Sequence, residues 1–168
     1  MTESAPLQPE RVNVEPVLAL KLEAQCGNDP QQIAQAMGQA FGTLGEFAQQ
    51  RRVPFAGPPR AIYTGYGPEG TKFTVVMPVA ADVSRDVGEG PVTVGDVPGG
   101  KALRFTHRGP YPRLMQTYEQ ITAWMKSEGM LATDADWAKY MPMWEEYVND
   151  PESTPEENLI TNIYVPLH

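Results

Sequence analysis

The sequence predicts an α+β fold built from two copies of a strand–helix–strand–strand unit. An antiparallel sheet carries both helices on one face, with a groove where the copies meet. Three observations predict it. Two amphipathic helical stretches, opening near Pro30 and Pro112, each follow strand-like residues and precede two further strand-like runs. The copies end alike, Val76-Met77-Pro78-Val79 against Tyr164-Val165-Pro166-Leu167. A polar connection from Asp82 to Gly90 separates them. One such unit alone leaves a sheet face uncovered, so the two are expected to share a core. The organisation is therefore a single domain over 10–168, with halves at about 10–83 and 90–168, after a loose leader at 1–9.

The elements follow in order. Val12 to Glu23 alternates apolar and polar residues in its second part, as a strand with one buried face does, and Pro16 predicts a bend or an edge position early in it. Asn28-Asp29-Pro30-Gln31-Gln32 is a helix start: Asp29 caps, Pro30 suits the first helical position, and Gln32 stands where a capping-box partner belongs. Ile33, Met37, Ala40, Phe41, Leu44, Phe47 and Ala48 form its apolar face. Gly38, Gly42 and Gly45 each cost about 1 kcal/mol relative to alanine, which predicts close packing on a sheet. Arg60–Tyr66 and Thr71–Val79 make a hairpin around Gly67-Pro68-Glu69-Gly70.

In the second half, Val92–His107 is strand material broken at Pro98-Gly99-Gly100. The helix after Pro112 has Leu114, Met115, Tyr118, Ile121, Trp124 and Met125 on its apolar positions and closes at Glu128-Gly129. Tyr118 and Trp124 therefore read as core. Asp134–Tyr140 is a loop or short helical turn. A strand over Trp144–Tyr147 and a last one over Leu159–Leu167 complete the copy.

Composition narrows the function. The net charge of −8 and pI near 4.7 oppose nucleic-acid binding and favour approach of cations. A single cysteine, Cys26, excludes an internal disulfide, and two histidines make a histidine-rich metal site improbable, so no metal or cofactor is expected. His107 reads as a hydrogen-bonded structural residue. Neither a signal-peptide pattern nor a membrane-length apolar run is present, which leaves the cytoplasm as the expectation.

The most informative stretch is Tyr140-Met141-Pro142-Met143-Trp144-Glu145-Glu146-Tyr147-Val148-Asn149-Asp150-Pro151. Strand alternation sends Glu145 and Tyr147 to one face, and Trp144 and Glu146 to the other. We take Glu145 as the inward carboxylate. An acid among apolar side chains costs free energy unless a cation or hydrogen-bond donor meets it. Met130, Met141 and Met143 are either an adaptable apolar wall or filler.

Together with His107-Arg108-Gly109-Pro110-Tyr111 and the two alike strand ends, the Glu-x-Tyr-x-Asn-Asp-Pro pattern resembles the GyrI-like small-molecule-binding domain, the effector-binding domain of AraC- and MerR-type regulators. The resemblance covers about Val12 to Leu167. It implies a pseudo-two-fold pair of units around an aromatic-lined groove whose glutamate, here Glu145, attracts lipophilic cations. Under that symmetry Tyr63 and Tyr66 occupy roughly the place of Glu145 and Tyr147, with Phe73 nearby. Trp137 and Tyr140 form either a lid or packing, and Met143 lies beside the site.

No DNA-binding region precedes Val12, so the expected role is a stand-alone protein that captures lipophilic, often cationic, small molecules, with multidrug character. Two alternatives carry other chemistry. One is a hydrolase of cyclopropane-containing toxic natural products, with Glu145 and Tyr147 as its catalytic residues. The other is a gyrase-inhibitor-like protein binder whose partner the residues do not name.

Overall fold

The computed structural model describes residues 7–167, except for the side chains of Tyr66 and Gly67. Leu7 already packs against a core cluster, so anchoring begins inside the stretch read as a loose leader. Residues 1–6 of that stretch lie outside the described residues.

Eight antiparallel strands form one curled sheet: β1 (Glu10–Val14), β2 (Val17–Cys26), β3 (Arg60–Gly67), β4 (Gly70–Pro78), β5 (Thr93–Val97), β6 (Gly100–Arg108), β7 (Met143–Tyr147) and β8 (Ile160–Pro166). Their spatial order is β1-β6-β8-β7-β3-β4-β2-β5. Helix α1 (Pro30–Arg51) packs on β2 and β4, and α2 (Leu114–Ser127) packs on β6. No helix among the described residues is long and apolar enough to cross a membrane.

The duplicated unit is present with one strand more per half than its periodicity announced. Glu15-Pro16 breaks the first strand run into β1 and β2, which pair with different neighbours. Proline cannot donate to a ladder, so the run ends there. Pro98-Gly99 does the same between β5 and β6. Each half then gives its first strand to the other: β1 pairs with β6, while β5 pairs with β2.

The registers locate the symmetry axis. Aligning Pro78 with Pro166 makes Val76 equivalent to Tyr164; Arg60 faces Val76 and Trp144 faces Tyr164, so Arg60 is equivalent to Trp144. Ala61 is then the counterpart of Glu145 and Tyr63 of Tyr147. Ala61 also pairs directly with Glu145. The pseudo-two-fold therefore passes between Ala61 and Glu145. The repeat in the sequence sets Tyr63 level with Glu145; the register moves it two residues along.

Each half has its own core on the helix-bearing face. Leu20, Leu44, Phe73 and Val75 centre the first, and Leu103, Phe105, Ile121, Met125 and Ile163 the second. Burying side chains of this size stabilises by about 1.5–3 kcal/mol each. Asp29 caps α1 by accepting from the Gln31 amide at 2.8 Å, with Pro30 in the first turn. The expected close packing at Gly38, Gly42 and Gly45 is absent: a Cβ at any of them meets nothing within 4 Å. They form a stripe beside the apolar face, not within it.

The helix-free face is different in each half. In the first, Ala19, Val76 and Val97 cluster with Val17 and Ile62. In the second, polar side chains connect strand to strand. Arg104 reaches Glu10 at 2.6 Å and Tyr164; Tyr164 donates to Glu146 at 3.1 Å; Asn162 donates to the same oxygen at 3.2 Å and accepts from Thr106 at 2.9 Å.

Candidate functional site

β7 places Met143, Glu145 and Tyr147 on the helix-bearing face, as alternation requires. Glu145 lies on the symmetry axis, between the two helices, with its side chain buried. The residue across from it is the fully buried Ala61, whose methyl leaves room for the carboxylate. A second glutamate at that position would set two acids face to face.

Among the described residues the carboxylate meets tyrosine hydroxyls and no salt-bridge partner, while His107 acts on it only through a favourable charge interaction. Tyr118 of α2 donates to Oε2 through a short hydrogen bond, and Tyr147 donates to Oε1 at 2.7 Å. The Tyr63 hydroxyl, from the symmetry-related strand, interacts with both Glu145 and Tyr147. Burial pushes the Glu145 carboxyl above its ordinary value, and donors from Tyr118, Tyr147 and Tyr63 oppose that rise. Burial, then the adjacent carboxylate, holds all three tyrosine hydroxyls well above theirs. The cluster is thus a carboxylate kept in low dielectric by neutral donors.

Aromatic and thioether groups close around it. Phe41 of α1 meets the Tyr147 ring edge-on at 5.8 Å, and Tyr111 meets it at 5.7 Å from the other side. The Tyr147 hydroxyl also lies 3.0 Å from the Met37 sulfur. Burial raises the Tyr111 hydroxyl too.

His107 sets the position of Tyr118. Its ring is buried, with Nε2 donating to the Pro110 carbonyl at 3.1 Å and Nδ1 at 2.6 Å from the Thr117 hydroxyl. This fastens the first turns of α2 to β6, one residue before Tyr118. The structural role expected of His107 is what its contacts describe.

The other candidates lie around this centre. Phe73 is buried in the first core, 6.4 Å from the Tyr63 ring, and also borders a cleft of about 390 Å³ with Thr64 and Lys72. Met143 is buried in the second core. Trp137 and Tyr140 sit on a short 3-10 helix, Asp134–Tyr140, pack on each other at 6.3 Å and join that same core. Tyr140 donates to the Met130 carbonyl at 3.0 Å. The Tyr66 side chain lies outside the described residues.

Sequence reasoning missed four partners. Tyr118 was placed in the core because it shares helical spacing with Leu114 and Ile121, and periodicity does not register a hydroxyl at one end of a ring. Phe41 and Met37 were likewise read only as an apolar helix face. The signal for Tyr111 was present in the His107–Tyr111 motif. No group of three or more metal-ligating side chains occurs among the described residues.

Among curated proteins no sequence matches this one. Solved structures do. The C-terminal domain of EcmrR superposes with a TM-score of 0.76 at 15% identity, over 96% of this chain and 98% of that one. In the EcmrR–DNA complex the TM-score is 0.72 at 15% identity, and the match, over 96% of this chain, spans only 57% of the EcmrR chain. A hydrolase from Listeria innocua gives 0.63 at 16% identity over 96% and 92%. SAV2435 bound to tetraphenylphosphonium gives 0.62 at 14% over 96% and 94%. At these identities the likeness concerns the fold. The family model for the GyrI-like small molecule binding domain matches residues 9–168, the same span that folds into the two symmetric halves around Glu145, and the chain belongs to that family.

Proposed function

We propose that the groove between the two helices takes a lipophilic organic cation, with Glu145 as counter-charge and Tyr63, Tyr111, Tyr118, Tyr147 and Phe41 as walls. The observation that carries this is a buried carboxylate whose hydrogen-bond donors among the described residues are tyrosine hydroxyls. Hydroxyl donors lower the cost of burying the acid without neutralising it, so its charge remains available to a ligand. Ring faces add cation–π attraction of about 0.5–2 kcal/mol. A bulky, weakly hydrated cation loses little on leaving water and needs no hydrogen bond to a carboxylate that already accepts from Tyr118, Tyr147 and Tyr63. The tetraphenylphosphonium held by SAV2435 is a ligand of that kind.

The test is a calorimetric titration with tetraphenylphosphonium and with neutral triphenylphosphine oxide. The cation is expected to bind at least tenfold more tightly. Equal affinities would remove the electrostatic part of the proposal.

A further inference from the structure

The helix-free face carries polar groups that the groove does not use. Arg60 is 8% exposed, yet its Nε and Nη1 make no hydrogen bond to protein. Its one ionic neighbour is Glu146, whose Oε2 lies 3.8 Å from Nε, too far for a hydrogen bond. Glu146 directs its other oxygen to Tyr164 and Asn162. On the same face the Trp144 indole N–H is also buried without an acceptor. Arg60 faces Glu146 across the ladder and Trp144 stands two residues before Glu146, so the two orphaned groups are diagonal neighbours. That spacing is about 7–8 Å between backbones, within reach of long side chains.

A buried donor without an acceptor carries a desolvation penalty, and two residues doing so side by side form a site lacking its acceptor. Apolar and aromatic side chains border them on one side, and the Glu146–Asn162–Tyr164 hydrogen bonds on the other. Trp144 stacks on Tyr164 at 4.9 Å and 9°, while Ile62 pairs with Trp144 and Val76 with Arg60. We propose that this face holds a second small-molecule site, distinct from the Glu145 groove. Its ligand is a planar monocarboxylate whose oxygens accept from Arg60 and the Trp144 indole N–H. A single negative charge fits: guanidinium–carboxylate bonds are strong, whereas Glu146 and the overall charge of −8 oppose a polyanion.

The test follows the indole N–H signals of the three tryptophans by 1H–15N NMR during titration with benzoate and, separately, inorganic phosphate. Benzoate is expected to displace one signal, absent in Trp144→Phe, and to do so equally in Glu145→Gln. Arg60→Lys and Trp144→Phe, read at the Ile62 amide, should each weaken benzoate by about tenfold, one charge-assisted or neutral hydrogen bond apiece. If Arg60→Lys does not fold, Trp144→Phe alone decides, since it keeps an aromatic ring to stack on Tyr164 and removes the indole N–H. No displacement at the highest soluble benzoate concentration overturns the proposal, because solvent then satisfies the donors. Displacement by phosphate alone, or unchanged affinity in Trp144→Phe, overturns it as well.

Discussion

Replacing Glu145 by Gln keeps the shape of the side chain and removes its charge. With the centre of a bulky cation about 6 Å from the carboxylate and an effective dielectric near 20, the lost attraction is about 2.8 kcal/mol. That corresponds to about a hundredfold in Kd. The effect should depend on pH with a definite sign. Burial holds the Glu145 carboxyl above its ordinary value, so the empty groove keeps its proton to higher pH than an exposed acid would. Cation affinity therefore rises as pH climbs through the raised value, and Glu145→Gln is flat over the same range. The linkage to folding runs alongside. With a folded-state pKa above the unfolded one, the stability contributed by Glu145 is complete below the ordinary carboxyl range and is lost as pH rises through the raised value. Calorimetry with tetraphenylphosphonium at pH 5 and pH 8, with circular dichroism as a check of folding, measures both. A folded Glu145→Gln protein that binds within twofold of the parent at pH 8, or that keeps the pH dependence, refutes the reasoning.

Three further outcomes are expected. Tyr118→Phe deletes a donor to the carboxylate, so the pH midpoint for cation binding should move up; a midpoint that stays or falls would show that Tyr118 does not hold the charged form. Ala61→Leu inserts bulk on the symmetry axis against Glu145 and should cost about 1–3 kcal/mol in denaturant unfolding, with cation binding reduced as well. Asp29→Ala removes the α1 cap and should cost about 1 kcal/mol, read by urea unfolding, with no change in cation affinity because the cap lies away from the groove.

The inward carboxylate was legible because strand alternation has a period of two and admits only two assignments for Glu145 and Tyr147. The repeat was legible because both copies end on the same Pro-bearing strand. What alternation does not carry is register. The repeat brings Tyr63 near Glu145, but its equivalence to Tyr147 and the place of Ala61 on the axis depend on which residues pair across β3 and β7. Tyr118 stayed hidden for a chemical reason: a ring that packs like leucine and a hydroxyl that donates to an acid are the same residue. Pro16 marks a bend or an edge position within one strand run, and the change of partner that it permits is a long-range event no local pattern encodes.

That change of partner has a consequence for cutting the chain. Each half closes the sheet edge of the other with its first strand, β1 on β6 and β5 on β2. A polypeptide cut between Asp82 and Gly90 would leave two fragments, each carrying an edge strand whose groove of hydrogen bonds lies on the other. Neither fragment is self-sufficient, while a mixture of the two holds every pairing needed.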